Sequence, residues 1–282
     1  MWERPVTATL QPFDSLAPCA PGVWRHGNVT VTRSDDRIAG GIHIGRSGGV
    51  LEVRHSLTAD RLSDALVGEV TDRVSASGSS RSEFEAIMVG LVRSTVPGAV
   101  AAWATFYRNS LTELTSGTSD FAPIHACADD LVDGDSVLDL GSCFGFFPLR
   151  LASRGVDVIA TDLHGGTVRL LDAMTTALGL DVATLVCDAA SVPVPDAHVD
   201  TVTALHLLEH VDLRSGDAIV QEALRVARRR VVIAVPFEEE AERCHGHVRT
   251  FDLAALASAV SRSGAPFDVF EHHGGWAVLD AR

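Results

Sequence analysis

The chain has 282 residues, 46% of them hydrophobic and 21% charged, so it can bury a sizeable core and has the composition of neither a disordered nor a membrane protein. Its formal net charge of -14 weighs against a protein that lives on nucleic acid, whose affinity rests on neutralised phosphates. No apolar run approaches the roughly 20 residues that span a bilayer. Glu3, Arg4 and Pro5 stand where an export signal would begin its apolar stretch, and five scattered cysteines suit reduced thiols, so a cytoplasmic protein is expected.

Short β-like pieces come first, at 29–31, at 37–44 broken by Gly40 and Gly41, and at 50–53; together they suggest a small sheet. Thr58 can cap a helix running to about Val74, with Leu62, Leu66 and Val70 four apart on one face. Residues 75–82 form a polar, serine-rich joint. Helical spacing resumes over 83–93, over 99–114 after Pro97 and Gly98, and over 121–131. From Ser136 strands alternate with helices, with strands expected near 136–140, 156–161, 182–187, 199–205 and 230–235. That alternation predicts an α/β, doubly wound, mostly parallel sheet covered on both faces. A helix over 253–263 is followed by strands at 267–271 and 276–280, which flank His272-His-Gly-Gly275 and read as an antiparallel hairpin. The expected organisation is a β-rich extension with one helix over 1–77, a helical connector or lid over 83–132, and the α/β domain over 133–282.

The first strand of that domain runs into Asp139, Gly141, Ser142, Cys143 and Gly145, and Phe146 opens an apolar helix. A turn this tight needs glycine where the backbone takes positive φ or approaches a ligand closely. The stretch resembles the class I S-adenosylmethionine-dependent methyltransferases, which carry an acidic residue followed by glycines at every second position. Asp139, Gly141 and Gly145 match, and Cys143 departs at the middle glycine. The Gly-x-Gly-x-x-Gly spacing of a dinucleotide site is absent. The resemblance implies a Rossmann-like fold and S-adenosyl-L-methionine as cofactor. Asp139, Gly141, Ser142 and Gly145 would form its turn. Asp162, at the next strand end with Leu163 beside it, would accept the ribose hydroxyls. Asp188 and Ala189, after the third strand, would meet the adenine.

The fourth strand leads into His206-Leu-Leu-Glu209-His210-Val211. This resembles the Leu-Glu-His-Val signature of the methyltransferase branch that contains ubiquinone-biosynthesis O-methyltransferases and many small-molecule enzymes. Ligands of open α/β sheets collect at the carboxyl ends of strands, so His206 is a candidate base and cofactor contact. Glu209 and His210 either position the loop or touch the acceptor. Past the fifth strand, Cys244-His-Gly-His247-Val-Arg249 resembles the segment that crosses the mouth of the pocket in this branch, which makes His245 and His247 candidate catalytic groups and Arg249 an acceptor contact. Cys244, His245 and His247 also raise a metal site. Structural zinc needs four ligands in paired groups and no second pair is evident, so no metal is expected.

The Asn/Asp-Pro-Pro-Tyr segment of enzymes that methylate exocyclic amines is missing after the fourth strand. The expected acceptor is a sugar or another small molecule, not a nucleic acid or a membrane. The layout from Phe106-Tyr-Arg-Asn-Ser110 onward resembles the methyltransferases of the mycofactocin oligosaccharide, which implies 2-O-methylation of a glucose. Two alternatives stay open: an O-methyltransferase of quinone or polyketide type, and a partner protein that binds the cofactor without turnover, since a side chain at Cys143 narrows the turn.

Overall fold

Alternating apolar positions in the first described segment produce four short strands, β1 (Val23–His26), β2 (Val29–Arg33), β3 (Ile42–Ser47) and β4 (Val50–His55), in the order β1-β2-β4-β3. The structure is a computed structural model that describes residues 14–75 and 79–281. Glu3, Arg4 and Pro5, and the middle of the serine-rich joint at 76–78, lie outside the described residues. Val29, Val31, Leu51 and Val53 turn inward and are buried. The piece expected over 37–44 becomes a strand only from Ile42, because Gly40 and Gly41 take φ of +73° and +76° and turn the chain into it.

The helix expected from Thr58 is broken. A 3-10 turn (Ala59–Arg61) comes first, and α1 (Leu66–Ser75) starts later. Neighbouring side chains explain the break: Asn109 Nδ2 donates to the Ala59 and Leu62 carbonyls, and Ser110 Oγ accepts from the Asp64 amide, so these backbone groups are engaged outside a helix. Leu62, Leu66 and Val70 are buried as their spacing predicts. A capping box between Ser80 and Glu83 starts α2 (Arg81–Thr95) two residues before the expected point. The helix lies directly on the small sheet, and at Gly90 a Cβ would overlap the Val31 side chain. After a bend of 106° comes α3 (Ala99–Ser116), then α4 (Ala122–Leu131). No single helix among the described residues is long and apolar enough to cross a membrane.

The rest is the expected α/β unit. Strands β5 (Ser136–Leu140), β6 (Asp157–Asp162), β7 (Ala183–Val186), β8 (Val199–Leu205), β9 (Ala227–Val235), β10 (Phe267–Glu271) and β11 (Gly275–Asp280) assemble in the order β10-β11-β9-β8-β5-β6-β7. The run from β9 to β7 is parallel, and β11 and β10 join antiparallel. Period-two alternation sends neighbouring residues to opposite faces. Val137, Val158 and Trp276 pack with α3, α5 (Phe146–Ala152) and α6 (Gly165–Leu178), in a core cluster that continues through α2 into the small sheet. Leu138, Val202 and Ile233 pack on the other side with α7 (Leu213–Val226) and α8 (Leu253–Ser261). The carboxyl ends of β6, β5, β8 and β9 therefore stand side by side, and the loops that follow them form one rim.

His55, at the end of β4, shows how tightly the small sheet is tied to α2. It has no accessible surface, its Nε2 meets Ser94 Oγ at 2.7 Å, and its Nδ1 accepts the Leu57 amide at 3.3 Å. Ser94 Oγ itself donates to the Gly90 carbonyl, so the imidazole is neutral with its proton on Nε2. Burial, with Arg33 nearby, lowers its pKa to about 4. A depressed histidine pKa stabilises the fold fully above the unfolded value near 6.5, and that stabilisation is lost as pH falls toward 4. The destabilisation caused by His55→Ala at pH 7 is accordingly expected to shrink by on the order of 3 kcal/mol by pH 4, read from urea unfolding of variant and wild type at each pH. A pH-independent difference would refute the buried neutral ring.

Candidate active site

The turn after β5 is built from its glycines. Gly141 and Gly145 hold φ of +68° and +72°, and a Cβ on either would strike Leu207 Cδ1 at 2.7 Å or Leu171 Cδ1 at 2.5 Å. Both positions thus need glycine on two counts. Cys143 takes φ +49° without being glycine, and its amide donates to Asp162 Oδ2 at 3.1 Å. Asp162 Oδ1 accepts the His164 amide at 2.8 Å, so this carboxylate ties the end of β6 to the turn after β5. Ser142 Oγ donates to the Asp139 carbonyl and accepts the Thr161 amide. Asp139 is buried behind the turn, where Oδ1 accepts from Thr203 Oγ1 at 2.5 Å, and burial pushes its pKa up to about 6 against the Thr203 and Ser142 hydrogen bonds. It braces β5 against β8. Asp188, past the end of β7, accepts the Ala190 amide on Oδ1. Leu163 and Val186, 64% and 52% exposed, are large apolar side chains left open beside Asp162 and Asp188. A carboxylate at one strand end with open apolar surface beside it suits an adenosine: hydroxyls for the acid, a flat base for the apolar pair.

The N-terminal helices also reach this turn. Phe144 sits among Trp103, Phe106 and Tyr107 of α3 and Phe146 of α5, with ring centroids 5.6–6.2 Å apart. The Tyr107 hydroxyl is buried without a partner among the described residues. Burial, with Cys143 and Asp64 near it, raises its pKa well above the ordinary value. Burial, with Glu113 close by, likewise raises Asp64 to about 6. Neither residue carries a motif, and only the packing of α3 onto the turn brings them there.

The histidines gather one strand over. His206 follows β8 with φ +54°, a strained value for a side chain with a Cβ, and its amide donates to the Ala234 carbonyl at 2.9 Å. Its Nδ1 stands 3.3 Å from Glu209 Oε1, and its ring lies edge-on to Phe121. Glu209 lies in the 3-10 turn Leu208–His210 and is fully buried; neither of its oxygens has a hydrogen-bond partner among the described residues. The His210 and His247 rings meet edge to face at 4.7 Å, and His247 Nδ1 is 2.8 Å from Glu238 Oε2. The structure therefore brings His206, Glu209, His210 and His247 together. It sends the other two candidates of the late loop elsewhere. His245 Nε2 bonds Thr71 Oγ1 at 2.8 Å and its ring abuts Phe84, so it ties the loop to α1 and α2. Arg249 turns inward, with Nε on the Leu208 carbonyl at 2.9 Å and its guanidinium 4.5 Å above the Phe251 ring, and it holds the 208–210 turn from below. Cys244 is buried, its Sγ 3.2 Å from Glu242 Oε1, so the trio Cys244, His245 and His247 does not converge.

Parallel strands with a glycine turn after β5 and an acid at the end of β6 give the chain an open α/β rim of the kind that holds nucleotide-like ligands at strand carboxyl ends. Residues 138–235 match the family model described as a methyltransferase domain. The match covers about a third of the chain and marks these residues as similar to a methyltransferase domain. The fold is shared with a protein of Pyrococcus horikoshii, at 15% identity and TM-score 0.50, over 62% of this chain and 98% of that one. An S-adenosylmethionine-dependent methyltransferase from Methanosarcina mazei aligns at 18% identity and TM-score 0.47, over 55% of this chain and 96% of that one. The magnesium protoporphyrin IX methyltransferase of Synechocystis aligns at 17% identity and TM-score 0.43, over 60% and 81%. No curated protein sequence matches the chain.

Two outcomes are expected at the turn. Asp162→Ala removes a charged acceptor from two amides and the carboxylate expected to meet a ribose, and should weaken S-adenosylhomocysteine binding by about 10- to 100-fold in isothermal titration. Unchanged affinity would move the nucleoside elsewhere. Cys143→Gly relieves a left-handed side chain, offset in part by the looser unfolded chain, and should raise the unfolding free energy by up to about 1 kcal/mol in denaturant titration.

Proposed function

We propose that the protein transfers the methyl group of S-adenosylmethionine to a hydroxyl oxygen of a sugar, with His206 as general base. The observation that carries this reading is the pairing of His206 Nδ1 with the buried Glu209 carboxylate, 3.3 Å away. A carboxylate beside Nδ1, close enough to attract its proton though off hydrogen-bond geometry, favours the tautomer that leaves Nε2 as the acceptor. When bound, the donor supplies a methyl on a sulfonium and leaves as a neutral thioether. The acceptor oxygen would take that methyl as the sulfur–carbon bond breaks, and His206 Nε2 would receive the hydroxyl proton. Much of the rate in such a displacement comes from alignment of oxygen with carbon, for which the strained backbone at His206 supplies a fixed orientation.

A polar mouth supports a sugar over an aromatic acceptor. Glu238, Glu239, Glu240 and His247 follow β9 in a polar loop, which favours a hydroxyl-rich acceptor over a quinone. We read the N-terminal extension and helical connector as the roof of the site. His245 is held by Thr71 and Phe84, and a Cβ at Gly246 would touch the Arg81 guanidinium at 2.7 Å. Tyr107 and Asp64 are the groups offered to the amino-acid end of the donor. Within sugars, the chain layout favours the 2-hydroxyl of a glucose in an oligosaccharide of the mycofactocin type.

Incubation with S-adenosylmethionine and short glucans tests the reading: the expected product is heavier by one methyl, placed by fragmentation on a ring oxygen. His206→Ala should lower kcat by about 10²- to 10⁴-fold while donor affinity stays within a factor of three. A wild-type rate in the variant removes the base, and methylation of quinols but not glucans shifts the acceptor class. Donor binding with no product from either would mark a binding protein.

A further inference from the structure

We infer that Glu209, His210 and His247 form a binding site for one divalent transition-metal ion at the acceptor side of the methyl donor. Each residue offers a ligand atom, and the three atoms lie within 4.8 Å of one another. They come from two loops that the fold brings together: the 3-10 turn after β8 and the loop after β9, joined by the Val248 amide donating to the Glu209 carbonyl at 2.9 Å.

Four observations point to a cation. Glu209 has no accessible surface, and neither carboxylate oxygen finds a hydrogen-bond donor among the described residues. A buried carboxylate left in that state costs several kcal/mol unless a positive charge offsets it. Arg249 lies within electrostatic reach, but its Nε is committed to the Leu208 carbonyl and its buried NH2 group bonds nothing described. The second observation is His210, whose Nδ1 is buried without a partner among the described residues. The third is His247, whose Nδ1 meets the Glu238 carboxylate at 2.8 Å and leaves Nε2 free of that bond. A carboxylate behind the distal nitrogen is how metal-ligating imidazoles are oriented. Fourth, the ligand count matches an open site, since three protein ligands leave positions for water or substrate, whereas a structural zinc site is closed by four.

Two imidazoles and one carboxylate favour zinc, manganese or iron over magnesium or calcium, which prefer all-oxygen sets. Donors bound at about 2.1 Å to one ion stand about 3–3.5 Å apart, a contraction that small rotations of the two histidine side chains cover. The Cys244-His245-His247 pattern in the sequence misleads because only one of its members faces the site. The missing ligands, Glu209 and His210, lie more than 30 residues earlier in the chain. An ion here would polarise an acceptor hydroxyl beside His206. That catalytic role rests on the proposed O-methylation, while the binding itself does not.

Full-length protein stripped with a chelator and dialysed is titrated calorimetrically with zinc, manganese and magnesium chlorides. The expected result is one equivalent of zinc or manganese bound far more tightly than magnesium. His247→Ala and Glu209→Gln should each weaken that binding at least tenfold, and Glu238→Ala by about 10- to 100-fold. S-adenosylhomocysteine affinity, measured on the same samples, reports intact folding, and His247→Ala, on a surface loop, serves if Glu209→Gln fails that control. No stoichiometric binding of either transition ion, or equal binding by His247→Ala, overturns the site. Metal binding without glucan methylation leaves the site standing and overturns the acceptor reading instead. Methylation that survives stripping and gains nothing from added ion removes the catalytic role.

Discussion

A carboxylate without accessible surface has to be offset by what surrounds it, and the rim of the sheet is organised around that of Glu209. The end of β8 places it there: the left-handed residue His206 re-aims the chain, and the 3-10 turn swings Glu209 inward. His206 faces the carboxylate from one side. His210 and His247 close on it from the loops after β8 and β9. Arg249 fastens that turn by its carbonyl, and Glu238 aligns His247. Each contact is modest alone, yet together they let one buried acid orient His206 and hold the neighbouring imidazoles in a single constellation.

The turn after β5 and the N-terminal helices are mechanically joined. Phe144 directly follows the strained Cys143, and its ring is held between α3 and α5. Aromatic pairs of this kind contribute about 0.5–1.5 kcal/mol each beyond their buried area. The turn therefore keeps a left-handed cysteine where glycine would be at ease, because the next residue is locked. The same packing carries Tyr107 of α3 and Asp64, in the loop before α1, toward the turn after β5.

Much of the architecture was legible beforehand. Alternation marked β5 to β11 within a residue or two except at the start of β9, and Leu62, Leu66 and Val70 are buried as spaced. The helix expected over 58–74 failed because its backbone groups are captured by Asn109 and Ser110, partners nearly fifty residues away that no local pattern reports. The late loop was misjudged for a similar reason. Its histidines look equivalent in sequence, but His245 is taken by Thr71 and Phe84 and only His247 faces Glu209 and His210.

The sequence by itself determined the glycine turn at Gly141 and Gly145, the acid at Asp162 and the alternation of strands and helices, since backbone conformation and residue period are local properties. It also offered the stretch from His206 to His210 as candidates for chemistry. Only the tertiary structure decided which of the 12 histidines meet, what buries Glu209, and that α3 packs against the turn after β5. Those choices depend on side chains far apart in the chain sharing one small volume, and such contacts leave no periodicity to read.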